Sequence, residues 1–198
     1  MIIYMFKLLC VTNRKLCKKD FLSRIKEIAS YDIPVILREK DLSEQEYTAL
    51  AKQVLQVCGD NCMIHSFVHT ALDLHVKKIH LPLPIFKTLE NKQTFSMIGV
   101  SVHSVQEALE AQALGAGYLV AGHIFETDCK KNLKGRGITF LQELCQNVNI
   151  PVYAIGGIST KNITEIQKAG ASGACIMSGW MQCENVAEFW KALHQIKI

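Results

Sequence analysis

Eight short apolar runs, each followed by a polar or amphipathic stretch, set the strongest limit on what this chain can fold into. The runs are LLCVTNR (8–14), PVILREK (34–40), CMIHS (62–66), KIHLPL (78–83), MIGVSVH (97–103), YLVAGHIF (118–125), PVYAIGGI (151–158) and ACIMSGW (174–180). They are apolar on most positions, the pattern of parallel strands covered on both faces. The stretches between them carry helical spacing. Tyr47, Leu50, Ala51, Val54, Leu55 and Cys58 share one stripe, and Val186, Phe189, Trp190 and Leu193 share another. Ser104 is placed to cap a helix over 105–114 that LGAG then stops. Thr160 is placed to cap 161–169, which AGASG stops. The piece at 84–93 carries a weak helical signal and is expected to be a short or irregular connection. Eight such units in one domain over 1–198 predict a compact (β/α)8 TIM barrel. A doubly wound open sheet is the alternative, because periodicity does not show closure.

Composition narrows the function classes. A chain of 198 residues, 49% hydrophobic and 20% charged, can bury a substantial core. The net charge of +4 is spread along the chain. That argues against a nucleic-acid surface and leaves room for small anionic ligands. Charged and polar residues break every apolar run, so no membrane span or signal peptide is expected. Eight cysteines occur without a C-x-x-C pair, several inside apolar runs, which points to buried free thiols in a reduced cytosol. The expected location is therefore cytoplasmic. A homodimer is compatible with the sequence, which does not set the oligomeric state.

If the barrel reading holds, the active site lies at the C-terminal ends of the strands. The polar groups ending the apolar runs then converge: Asn13, Arg14, Arg38 and Lys40, then His65, Ser66, Ser101 and His103, then His123, Gly156, Gly157 and Ser178. AIGGIS and MSGW end runs seven and eight, where this fold often binds phosphate. Gly156 and Gly157 let backbone N–H groups approach an anion, and Ser178 and Gly179 add a hydroxyl and another N–H. Turn glycines without a ligand are the competing reading. In ILREKD, Arg38 and Lys40 share a face and offer two cations, unless one points outward as a solvated ion-pair partner. His65, His80, His103 and His123 lie near strand ends, but their spacing matches no fixed zinc motif. His123 stands out because it follows a glycine at the rim, and an imidazole can act as both general base and general acid. Cys129 sits beside Lys130 without an identifiable base and reads as an incidental thiol.

The segments IGVSVHSVQEALEAQALGAGYLVAGHIFETDCKK and PVYAIGGISTKNITEIQKAGASGACIMSG, with ILREKD upstream, resemble the thiamine-phosphate synthase/TenI family of barrels. The resemblance covers most of the chain, with the motifs in family order. Synthases of this family join a pyrimidine pyrophosphate to a thiazole phosphate and need Mg²⁺, whereas TenI-type members tautomerise a thiazole. Three departures from the synthase pattern occur. IHSFVH stands where synthases carry Asn-Asp-Arg, KIHLPLP has no acid before Glu90, and Gly122-His123 replaces Gly-Pro. The resemblance therefore implies a TenI-like thiazole tautomerase acting on a thiazole phosphate carboxylate, without metal or other cofactor. It implies His123 as the proton-transfer group and Thr127 and Lys130 as holders of the carboxylate. It places phosphate on Gly156, Gly157, Ser178 and Gly179, with Arg38, Lys40 and Ser101 elsewhere in the pocket. A divergent Mg²⁺-dependent synthase, a non-catalytic thiazole-phosphate-binding regulator and an isomerase or aldolase for another phosphorylated metabolite remain as alternatives.

Overall fold

The computed structural model describes residues 6–127 and 133–194. Within them eight parallel strands close into a barrel in chain order. They are β1 (Lys7–Val11), β2 (Val35–Leu37), β3 (Cys62–His65), β4 (Lys78–Pro82), β5 (Met97–Val102), β6 (Tyr118–Gly122), β7 (Val152–Ile155) and β8 (Gly173–Ile176). Closure is made by β8 against β1, with Leu8 opposite Ala174 and Cys10 opposite Ile176. The TIM barrel expected from the repeat is the fold, and the open sheet is excluded.

Helices follow the strands: α1 (Phe21–Ala29), α2 (Glu44–Cys58), α3 (Val68–Asp73), α4 (Leu83–Lys87), α5 (Val105–Ala113), α6 (Gly137–Asn147) and α7 (Ile163–Lys168). Two more, α8 (Ser178–Gln182) and α9 (Val186–His194), follow β8. Ser43 and Glu46 form a capping box at the start of α2, and Ser104 caps α5 as expected. The weak segment after β4 is indeed short, α4 being a single turn with proline in it. No described helix is long and apolar enough to cross a membrane. The cysteines among the described residues are unbridged.

Side chains alternate between two cores, as strand geometry requires. Leu8, Cys10, Val35 and Leu37 point into the shell between barrel and helices. Leu9, Val11, Ile36 and Met63 point into the barrel, where the Tyr118 and Tyr153 rings meet edge to face at 5.4 Å. Both rings need room that only glycine leaves. A Cβ at Gly99 would overlap the Tyr118 ring, and one at Gly173 would lie 2.6 Å from Tyr153.

The strands stop earlier than the apolar runs suggest. The β1 ladder ends at Val11 rather than 14, β2 at Leu37 rather than 40, and β6 at Gly122 rather than 125. The tails after β1 and β2 are polar, whereas Ile124 after β6 and Ile158 after β7 (Val152–Ile155) are buried in the outer core without joining the sheet. Thr160 is not the cap of α7, which starts two residues later than the spacing predicts. The Asn162 side chain accepts from the Ser159 N–H (2.8 Å) and donates to the Gly157 carbonyl (2.9 Å). Residues 159–162 are thereby held in a turn against the end of β7, where the helix cannot begin.

Candidate active site

The C-terminal mouth of the barrel opens on a cavity of about 450 Å³. Inward positions at the strand tops, His65, Ser101, Ile155 and Cys175, make its floor. Loop residues make its walls. Asn13, Arg38 and Lys40 stand on one side, His103, His123 and Thr127 on another, and Gly156, Gly157 and Ser178 on a third. Residues scattered from 13 to 178 are thus collected by strand order alone. Gly179 is not on the wall. A Cβ there would meet the Phe189 ring at 2.6 Å, so its small size serves the packing of α8 against α9. Lys130 and Cys129 lie outside the described residues.

Arg38 and Lys40 both reach the cavity because the residue between them does not. Glu39 is 2% exposed and accepts from the Thr12 hydroxyl (2.7 Å), the Arg14 N–H (3.0 Å) and the Arg14 guanidinium (3.1 Å). The Arg38 N–H in turn donates to the Thr12 hydroxyl (2.9 Å). A buried carboxylate so fully partnered pins the end of β2. Arg14, a rim candidate in the sequence, is spent on this clamp and on Asp41, at 2.7 and 2.8 Å. Arg14 first, then Lys15, holds the Asp41 carboxyl well below the usual carboxylate range.

His123 is held on three sides and is 7% exposed. Its carbonyl accepts from the Arg136 N–H (2.9 Å), and the next N–H, of Ile124, donates to the Ile155 carbonyl (2.9 Å). Its ring Nε2 lies 3.2 Å from the Leu133 carbonyl. A carbonyl oxygen only accepts, so Nε2 carries the proton and, in the neutral ring, Nδ1 carries the lone pair. Gly156 lies directly against this residue. It has φ +104, and a Cβ there would overlap the His123 Cβ and stand 2.9 Å from its Cα. Gly157, at φ +65, is closed in by the Glu126 carbonyl in the same way. The two glycines therefore have a steric task, admitting the β6 tail, that the sequence did not reveal.

Beneath the cavity runs a polar chain that sequence reasoning also missed. His80 Nε2 is 2.8 Å from the Ser101 hydroxyl, and its Nδ1 is 3.1 Å from the Tyr118 hydroxyl, which donates to the Met63 sulfur (3.3 Å). His65 Nδ1 pairs with the Ser66 hydroxyl (2.7 Å), turning that rim candidate away from the cavity, and the His65 ring stacks on His80 at 5.6 Å. Burial, then the neighbouring His80 and Arg38, pushes His65 down to about 2. Burial, then Arg38, pushes His80 down to about 3. Both imidazoles are neutral in the folded protein across ordinary pH.

A consequence for stability follows. In the unfolded chain both histidines titrate near 6.5, roughly the model-peptide value. Above that pH they are neutral in both states and contribute no pH dependence. As pH falls below it the unfolded state binds protons that the folded state refuses, so stability drops by roughly 1.4 kcal/mol per pH unit per histidine. Urea unfolding between pH 7.5 and 5 should show this slope, and His80→Asn should remove about half of it. A flat profile over that window would contradict the buried neutral pair.

A magnesium–pyrophosphate site needs hard oxygen ligands. None of the described residues on the cavity wall is a carboxylate, and no cluster of three His, Cys, Asp or Glu suited to a metal occurs among the described residues. Of the two acids after β2, Glu39 is consumed by Thr12 and Arg14, and Asp41 by Arg14 and Lys15. These residues do not fit Mg²⁺.

Comparisons with known proteins agree with the architecture. The family model described as thiamine monophosphate synthase, TMP-TENI, matches residues 8–180. Thiamine-phosphate synthase 2 of Streptococcus pneumoniae is 32% identical over 205 residues, covering 96% of each chain. The thiamine-phosphate synthase of Fusobacterium nucleatum is 33% identical over 182 residues, 87% of this chain and 88% of that one. Among solved structures, a thiamine phosphate pyrophosphorylase from Pyrococcus furiosus superposes with a TM-score of 0.81 at 28% identity, covering 96% of this chain and 95% of that one. The chain belongs to the thiamine monophosphate synthase (TMP-TENI) family.

Proposed function

We propose that this protein is a thiazole tautomerase, converting a thiazole phosphate carboxylate with an exocyclic double bond into its aromatic isomer. The observation that carries this reading is a cavity in which a tautomer-fixed histidine shares the wall with cations, hydroxyls and glycine backbone, and with no described carboxylate. A proton shift within one molecule needs an acid–base group and two anchors, and no metal. The phosphate end suits Gly156, Gly157 and Ser178, with the backbone of Gly179 in the first turn of α8. The carboxylate end suits Thr127, and the family resemblance adds Lys130 to that role. Arg38 and Lys40 line the remaining wall above Ser101 on the floor, and the two cations keep the cavity attractive to a ligand with two anionic groups.

The reaction is an isomerisation, so atoms balance within the substrate. The sp³ ring carbon gives up its proton to His123, and its electron pair enters the ring. The double bonds shift by one position, and the exocyclic carbon takes a proton. Aromaticity supplies the driving force, and positioned proton transfer contributes roughly 10²–10⁴-fold in rate.

The names of the relatives favour a second reading, Mg²⁺-dependent joining of a pyrimidine pyrophosphate to a thiazole phosphate. The two are separated by supplying each reaction in turn. Aromatisation of the tautomer that persists in EDTA supports the tautomerase. Coupling with Mg²⁺ and no aromatisation supports the synthase. Ligand binding with neither reaction supports a regulator.

A further inference from the structure

We infer that His103 is a second proton carrier in this cavity, working beside His123. The inference rests on the tautomerase reading. His103 immediately follows β5, one position beyond the Val102–Ala121 pair, so it stands beside Gly122 and next to His123 on the neighbouring strand end. Both histidines line the cavity.

The hydrogen bonds give the two rings opposite tautomers. His103 Nδ1 lies 2.8 Å from the Gly122 carbonyl. That oxygen only accepts, so Nδ1 carries a proton and the neutral ring has its lone pair on Nε2. In His123 the Leu133 carbonyl takes the Nε2 proton, and the lone pair is on Nδ1. Each ring is thus oriented by a backbone oxygen on one nitrogen, which leaves the other for chemistry, the arrangement that acid–base histidines require. Protonating His103 at Nε2 leaves its bond to Gly122 intact, so it can charge and discharge without moving.

Their surroundings differ in a way that divides the labour. His123 is buried, and His103 is exposed on the α5 side, where its backbone N–H is held by the Glu107 carboxylate. The buried group suits removal of a carbon-bound proton in a water-poor corner. The exposed group reloads from solvent. In one turnover neutral His123 accepts the ring proton, and protonated His103 delivers its Nε2 proton to the exocyclic carbon. His123 then carries the extra proton and His103 is neutral. Exchange with water restores both, with no oxidant, reductant or co-reactant.

The test uses the whole protein, substrate deuterated at the sp³ ring carbon, and His103→Asn. Asparagine can still donate to the Gly122 carbonyl but offers no basic nitrogen, so a merely positioning role would be rescued by it. The expected result is a kcat loss of about 10²-fold with KM changed by less than about threefold. Wild type should place a solvent proton, and no deuterium, on the exocyclic carbon. Full kcat in His103→Asn, or deuterium carried across by wild type, would overturn the second carrier while leaving the tautomerase reading in place. No aromatisation by wild type would remove both.

Discussion

His123→Ala should lower kcat for aromatisation of the thiazole tautomer by roughly 10²–10⁴-fold, the usual contribution of a positioned general acid–base group. The loss should fall on kcat, because the anchors proposed for phosphate and carboxylate are other residues. Ligand affinity measured with the aromatic thiazole phosphate product should change by less than about threefold. His123→Gln separates chemistry from packing: its amide can donate to the Leu133 carbonyl as Nε2 does, at 3.2 Å. It should be as slow as the alanine variant. A glutamine variant at the wild-type rate would show that His123 positions the loop and moves no proton.

Gly156→Ala is expected to be the most damaging single methyl addition at the mouth. The residue has φ +104, which an L side chain rarely adopts, and its Cβ would overlap His123. Strain of this kind costs about 1–3 kcal/mol, and overpacking costs a similar amount, so a loss of about 2–6 kcal/mol is expected. Urea denaturation measures it. The folded fraction should also turn over more slowly, because the added methyl meets His123, the proposed proton carrier. A loss under 1 kcal/mol with full turnover would show that the β6 tail does not press on Gly156 as described.

The barrel was legible because each parallel strand is covered on both faces and reads as a short apolar run. Its boundaries were less legible for the same reason: Ile124 and Ile158 are apolar because they are buried in the outer core, and they lengthened the runs past the ladder. The gathering of Arg38, His123, Gly156 and Ser178 at one mouth followed from strand order. What each residue touches did not. Glu39, between an arginine and a lysine, looks like a solvated charge. Only the register of β1 with β2 brings Thr12 and Arg14 to it. The His80–Tyr118 pair joins residues 38 positions apart on strands that are not neighbours, across a barrel interior that no local spacing encodes. Gly156 and Gly179 read as ligand-approach glycines, and the neighbours that a Cβ would strike, His123 and Phe189, were not legible beside that reading. Thr160 failed as a cap because Asn162, two residues on, claims the turn.

The most direct test of the central claim is to follow one sample of the intact protein by NMR with the exocyclic-double-bond tautomer in EDTA. The expected result is catalytic appearance of the aromatic thiazole phosphate carboxylate, at a rate that added Mg²⁺ leaves unchanged. The contradicting result is no aromatisation above the uncatalysed rate, together with thiamine phosphate formed once Mg²⁺ and the pyrimidine pyrophosphate are supplied.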